Sequence, residues 1–387
     1  MQNRWAVLAL LFTVRLAMAF QFQAVGAVSP TFMDTYRVAL ADIGLLISIY
    51  LAPGIVFAVP GGAIGQRFGD KPVVLFGLAL MIVGGLLMAA ATSWHWQIGA
   101  RLIAGIGGVL LNVLMSKMVT DWFAGKEIAT AMAIYVNSWP TGIALALLVL
   151  PILASTGGIV AVATVTVVLA FAGLILLGAF YRAPPGQGAT STARIWPMGD
   201  VLNAVLAAGS IWGLYNAALG MVFGFGTALL TERGWSLTAA GSATSLVLWS
   251  AVVCVPLGGL LSDRLGKPRE VMLAGFGLFA LLLFICARTE NVVFWFVLLG
   301  VVASLAPGAI MSLPIRVLAP EVRAIGMGLY FTMFYVCIVA APIIAGQLAV
   351  ITGTSQTAFD LGIAMLLACF GLLWLYERFA RRFTTHV

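Results

Sequence analysis

The residues able to do chemistry in this chain are few, and the first is Arg15, set inside an apolar run that extends from Trp5 to Val28. A guanidinium stays charged at any physiological pH and presents a planar fork that matches carboxylate-like oxygen pairs. Inside an apolar segment it is costly unless it faces a cavity or a partner, and no Asp or Glu falls at the same depth in the spans set out below. Two readings stand: a structural cation satisfied by backbone carbonyls and water, or the counter-charge for an anionic solute. Arg101 is followed by Gly105, Gly108 and Asn112, which share one helical face. Glycines so arranged signal close helix packing, and Arg101 reads as a structural or gating charge near the outer mouth.

Softer polar groups are expected near the middle of other spans. Asn112 is one, and Asn137 beside Trp139 and Pro140 is another. Trp212, Tyr215 and Asn216 share a face at i, i+3 and i+4, and Tyr330 and Tyr335 complete the set. An aromatic and amide lining suits a small planar or partly apolar solute, while each group alone has a plainer reading in interhelical hydrogen bonding. Nothing points to catalysis, because no nucleophile stands beside a base. His95 and His386 fall in an outer loop and at the end of the sequence, and Cys254, Cys286, Cys337 and Cys369 lie in apolar runs without metal spacing. No GxxxxGK[ST] run exists to cradle a nucleotide phosphate. Neither a metal nor any other cofactor is expected.

The elements that must position these groups follow from composition. The chain is 62% hydrophobic and 9% charged, against about 25% charged in soluble domains. It belongs in a bilayer, where spanning elements must satisfy their own backbone groups as helices or closed barrels. Apolar runs of helical length predict twelve helices, at 5–28, 42–65, 72–92, 97–119, 128–150, 158–181, 199–229, 238–262, 270–288, 292–317, 324–349 and 358–378. The polar stretch 182–198 is the one long linker, dividing a six-helix half at 1–181 from a second at 199–387. Arg4, an apolar run and Ala17-Met18-Ala19 imitate a cleaved leader, but Arg15 interrupts the run and it resumes to Val28, so cleavage is not expected. Prolines 53, 140, 256, 307, 314 and 342 lie within spans and predict bends.

Charge sets an orientation. With both termini inside, every Lys and Arg falls on the cytoplasmic side except Arg37, Arg233 and Arg288 outside and Arg15 and Arg101 within spans. That is the asymmetry of the positive-inside rule. The net charge of +7 therefore reads as orientation and contact with anionic lipid, with no nucleic-acid partner expected.

The chain is also written twice. GIVFAVPGGAIGQRFGDKPVVLFGL, from Gly54 to Leu78, returns as VCVPLGGLLSDRLGKPREVMLAGFGL, from Val253 to Leu278; matching Arg67 to Arg264 brings Gly62 onto Gly259 and Gly69 onto Gly266. EIATAMAIY, ending at Tyr135, echoes VRAIGMGLY, ending at Tyr330, at nearly the same offset. Duplicated membrane halves are a transporter signature.

The second loop, with Gly259, Asp263, Arg264, Gly266 and Lys267, resembles the signature between helices 2 and 3, repeated between 8 and 9, of the major facilitator superfamily. Arg101 with Gly105 and Gly107 resembles its helix 4 signature, and DWFAGKEIATAM, from Asp121 to Met132, its loop before helix 5. The texture is similar to the bacterial branch of cyanate and nitroimidazole transporters. The resemblance implies an all-α major facilitator fold in a bacterial inner membrane, with both termini cytoplasmic, acting as a monomer on a small-molecule substrate by alternating access. It also implies that the Asp263 carboxylate bridges the two halves at the cytoplasmic side. In the first copy Gln66 stands where the family has that aspartate, and Asp70 where it has a basic residue; Pro140 and Gly142 fall short of the drug-antiporter signature. The function expected is secondary transport of a small anionic solute. The alternatives are an exporter of neutral or cationic drug-like compounds and a transporter-like solute receptor, which would carry an appended domain that is not expected here.

Overall fold

A computed structural model describes residues 3–38, 40–184 and 196–381. Arg194, Arg382 and His386, with most of the 182–198 linker, lie outside the described residues. Among those described, every regular element is helical. In order they are α1 (Arg4–Ala27), α2 (Ser29–Tyr36), α3 (Leu40–Leu51), α4 (Pro53–Phe68), α5 (Asp70–Ala90), α6 (Trp94–Phe123), α7 (Ile128–Phe180), α8 (Gly199–Glu232), α9 (Leu237–Leu265), α10 (Pro268–Cys286), α11 (Val292–Val302), α12 (Pro307–Ser312), a 3-10 turn (Pro314–Arg316), α13 (Arg323–Thr352) and α14 (Gln356–Ala380).

Eleven stretches among the described residues are long and apolar enough to cross a membrane. The longest, α7, has 53 residues, about 80 Å of helix against a hydrocarbon core of about 30 Å. It breaks at Gly158, where φ 59 and ψ −153 leave helical space, so it supplies two crossings and the expected twelve are present. The other differences have local causes. The span expected at 42–65 is two pieces meeting before Pro53, and that at 292–317 is divided by Pro307 and Pro314 into α11, α12 and the 3-10 turn. The short α2 was not expected; Pro30 sits in its first turn and Arg37 ends it with φ 54, its N–H donating to the Met33 carbonyl.

The two repeated loops end their helices alike. Gly69 after α4 has φ 87 and Gly266 after α9 has φ 61, a conformation that costs other residues a Cβ clash. This explains why the repeat keeps glycine at both places.

The described chain forms two compact units. One comprises Met1–Phe123, Tyr135–Trp196 and Ala319–Thr332; the other comprises Ala124–Ile134, Pro197–Leu318 and Met333–Val387. Within the first, the start of α13 lies on α4, with the Gly62 Cα against the Ala324 carbonyl and Gly328 against the backbone of Ala58. Within the second, Gly259 of α9 and Gly308 of α12 both meet the backbone of Ala129 at the start of α7. Small residues let helix backbones approach where lipid offers no hydrophobic gain from association.

Candidate functional site

Arg15 sits in the middle of α1 and is 6% exposed. Its Nε donates to Asn112 Oδ1 at 3.2 Å, and its Nη1 donates to the carbonyls of Tyr135 and Val136, both at 3.1 Å, and to Ser138 Oγ at 3.2 Å. The guanidinium carbon lies 4.6 Å from the centre of the Tyr135 ring and 5.8 Å from that of Trp139, a cation–π arrangement that strengthens when desolvated. Ser138 Oγ in turn donates to the Tyr135 carbonyl at 2.6 Å. Trp139 packs on Phe22 with ring centres 5.0 Å apart. These contacts join α1, α6 and the first part of α7 around one cation. Asn137, 7% exposed, stands within this turn, and its carbonyl accepts from Thr141 Oγ1 at 2.7 Å.

Arg101 is 1% exposed. It donates to the carbonyls of Gln21 and Phe22 at 2.8 Å each and of Leu46 at 3.4 Å, with its guanidinium carbon 4.6 Å from the Tyr50 ring centre. It ties α6 to α1 and α3, and Gly105, one turn on, lies against the Tyr50 backbone. Phe22 also meets Tyr50 edge-on at 5.7 Å, so aromatic contacts run from one buried arginine to the other.

The remaining predicted groups are spread between the units. Tyr330 is fully buried in the first, its ring against Phe331. In the second, Trp212 stacks on Phe334, which meets Tyr335 edge-on. Tyr215 Oη donates to the Ala303 carbonyl at 2.8 Å, and Asn216 Nδ2 turns back onto the Trp212 carbonyl at 2.8 Å. Sequence reasoning missed Ser138, Phe22 and Tyr50 as members of the arginine clusters. Pro140 was a signal for the Val136 carbonyl, which it deprives of a helical donor, but not for the Ser138 hydroxyl.

The repeated loop presents different chemistry in its two copies. Asp263 accepts from the backbone N–H of Thr130 at 2.6 Å and of Ala129 at 3.3 Å, placing a carboxylate on the N-terminus of α7, where the helix dipole favours it. In the first copy the Gln66 amide instead donates to the Glu321 carbonyl before α13. A buried chain of charge lies beside it. Lys117 Nζ bonds Asp70 at 2.5 Å and Asp121 at 2.8 Å, and Asp121 also pairs with Arg323. Asp70, standing where the family has a base, is thus answered by Lys117. Arg67, Arg264 and Lys267 are exposed, with Arg67 lying over the Phe68 ring.

The model of the Major Facilitator Superfamily matches residues 11–231 and 201–385, which together run nearly the length of the chain. The chain belongs to the major facilitator superfamily. Among curated relatives, the human choline/ethanolamine transporter FLVCR2 is 26% identical over 155 residues, 39% of this chain and 30% of its own length. The inner membrane transport protein YajR of Escherichia coli is 30% identical over 149 residues, 37% of this chain and 32% of its own. The matches thus span about a third of these relatives. The human organic anion transporter MFSD10 has the same major facilitator fold, with TM-score 0.80, 17% identity and coverage of 96% of this chain and 100% of that one. The E. coli fucose:proton symporter FucP gives 0.75 and 16%, covering 98% and 99%. The chain is an integral membrane protein of a transporter family.

Proposed function

We propose that this chain is a secondary transporter that moves a small anionic solute across the bacterial inner membrane by alternating access, as a monomer with both termini in the cytoplasm. The observation that carries the reading is Arg15, a permanent cation held within a span by the neutral acceptors Asn112, Tyr135, Val136 and Ser138. These four acceptors are neutral, so they orient the guanidinium without any of them cancelling its charge. Trp139 beside it, packed on Phe22, suits a planar or partly apolar body, and the resemblance to the cyanate and nitroimidazole branch accords with a small solute.

The test is uptake of labelled small carboxylates and inorganic anions into proteoliposomes by wild type, Arg15→Gln and Arg15→Lys. The glutamine variant is expected to lose most uptake and the lysine variant to retain part; undiminished uptake by Arg15→Gln would end the anion reading. A second reading is favoured by the choline/ethanolamine transporters among the relatives together with the Trp212–Phe334 stack: a solute carrying an ammonium group, held by aromatic faces. It requires that Arg15→Gln leave transport intact and that Trp212→Ala abolish it.

A further inference from the structure

Pro140 lies inside α7, and a proline within a helix has no N–H for the carbonyl four residues earlier and pushes that carbonyl aside with its ring. The carbonyl so orphaned is that of Val136. It would be a buried acceptor without its helical donor, which is costly in a membrane. Arg15 Nη1 reaches it at 3.1 Å and reaches the adjoining Tyr135 carbonyl at the same distance. The gap that Pro140 leaves in the hydrogen-bond ladder of α7 is therefore closed by a side chain of α1. In the second unit a side chain answers an open carbonyl of a different origin: Ala303 caps the end of α11 ahead of Pro307, and Tyr215 Oη of α8 donates to its carbonyl at 2.8 Å.

Resting on the reading of Arg15 as the anion's counter-charge, we infer that Pro140 sets how tightly that charge can hold solute. The Val136 carbonyl and the solute compete for the same Nη1. An arriving anion draws Nη1 off the Val136 carbonyl and leaves the proline gap in α7 open, so that occupancy of the site and flexing of the helix are linked through one guanidinium. The energy of binding is partly spent in breaking this contact, which keeps affinity moderate and allows release. Pro140 is thus a positioning residue that touches no solute. Pro151, in the same helix, orphans the carbonyl of Leu147, whose side chain is exposed on the molecular surface, and has no such part.

Pro140→Ala supplies an N–H to Val136 and relieves Arg15 of one duty. In the full chain in lipid nanodiscs, radiolabelled acetate, lactate and benzoate are titrated onto wild type, Pro140→Ala, Pro151→Ala and Arg15→Gln. For whichever of these binds wild type, Pro140→Ala is expected to lower Kd about tenfold, the equivalent of one charge-assisted hydrogen bond, while turnover in proteoliposomes falls. Pro151→Ala should leave Kd unchanged. A merely structural proline would weaken binding and turnover together. Should Pro140→Ala fail to fold, Ser138→Ala removes another acceptor from the same Nη1 and is expected to tighten binding about threefold. Thermal unfolding gives a readout that needs no solute: the fall in Tm caused by Arg15→Gln should be smaller when Pro140→Ala is already present than in the wild-type sequence. Binding to wild type with an unchanged or raised Kd in Pro140→Ala, or equal Tm losses with and without that substitution, overturns the inference while the anion reading stands. Binding of none of the three, or binding that survives Arg15→Gln, removes the anion reading and the competition with it.

Discussion

Arg323, at the start of α13, pairs with Asp121, at the end of α6, and both side chains are almost wholly buried, at 6% and 5% exposure. Asp121 holds Lys117 with its other oxygen, and Lys117 holds Asp70. Removing one partner of such a pair leaves a buried charge uncompensated, at a cost of about 3–5 kcal/mol. Asp121→Asn and Arg323→Gln are each expected to lower Tm strongly, and the double variant should lose less than the two combined. A double-mutant cycle on Tm measures the difference; strict additivity would show that the pair does not act as a unit.

Asp263 and Gln66 occupy matching places in the repeat but act in opposite senses, one accepting from backbone N–H groups and the other donating to a carbonyl. Gln66→Asp, which restores the family residue, is therefore expected to destabilise, because a carboxylate has no hydrogen to offer the Glu321 carbonyl. Asp263→Asn should cost about 0.3–2 kcal/mol through the lost charge at the α7 N-terminus. Raised thermal stability in Gln66→Asp would contradict the assignment.

At Gly62 and Gly259 an added methyl group would run into the backbone of Ala324 and of Ala129 respectively. Backbone cannot yield as a side chain does, so Gly62→Ala and Gly259→Ala are expected to force their helices apart and to cost more than Gly266→Ala. The last meets no neighbour and bears only the strain of its φ of 61, about 1 kcal/mol. Comparing Tm across the three variants in one detergent decides the order.

Tyr215→Phe deletes the donor that reaches the Ala303 carbonyl and keeps the ring between Phe276 and Phe279. The expected loss is about 1–3 kcal/mol, the cost of leaving a buried acceptor unsatisfied. A variant as stable as wild type would show that this carbonyl is satisfied in another way.

Much of the fold was legible because a bilayer enforces simple rules. The length of each apolar run, the loop repeat around Arg67 and Arg264, and the prolines at 53, 307 and 314 mark where helices run, turn and break. Gly158 was not read as a break inside α7, yet the spans expected on either side meet near it. The site was legible in part. Arg15 announces itself as a charge among apolar neighbours, and Asn112 and Asn137 as amides at similar depth. Their connection through Ser138 and the carbonyls of Tyr135 and Val136 depends on which faces of α1, α6 and α7 meet, and one sequence does not specify that. Tyr215 and Asn216 look equally suited to solute in the sequence, and each makes a hydrogen bond to a backbone carbonyl that the sequence does not announce.

The run from Asp70 through Lys117 and Asp121 to Arg323 alternates in sign and sums to nothing. A cluster that is neutral as a whole can sit in a dry place, yet it cannot give up one member without becoming an ion. Substitutions in it should therefore travel in company. In a descendant of this chain that has lost the lysine, one of its two acids is expected to have gone as well, and a homologue with a base at the position of Asp70 should be found with an acid at that of Lys117.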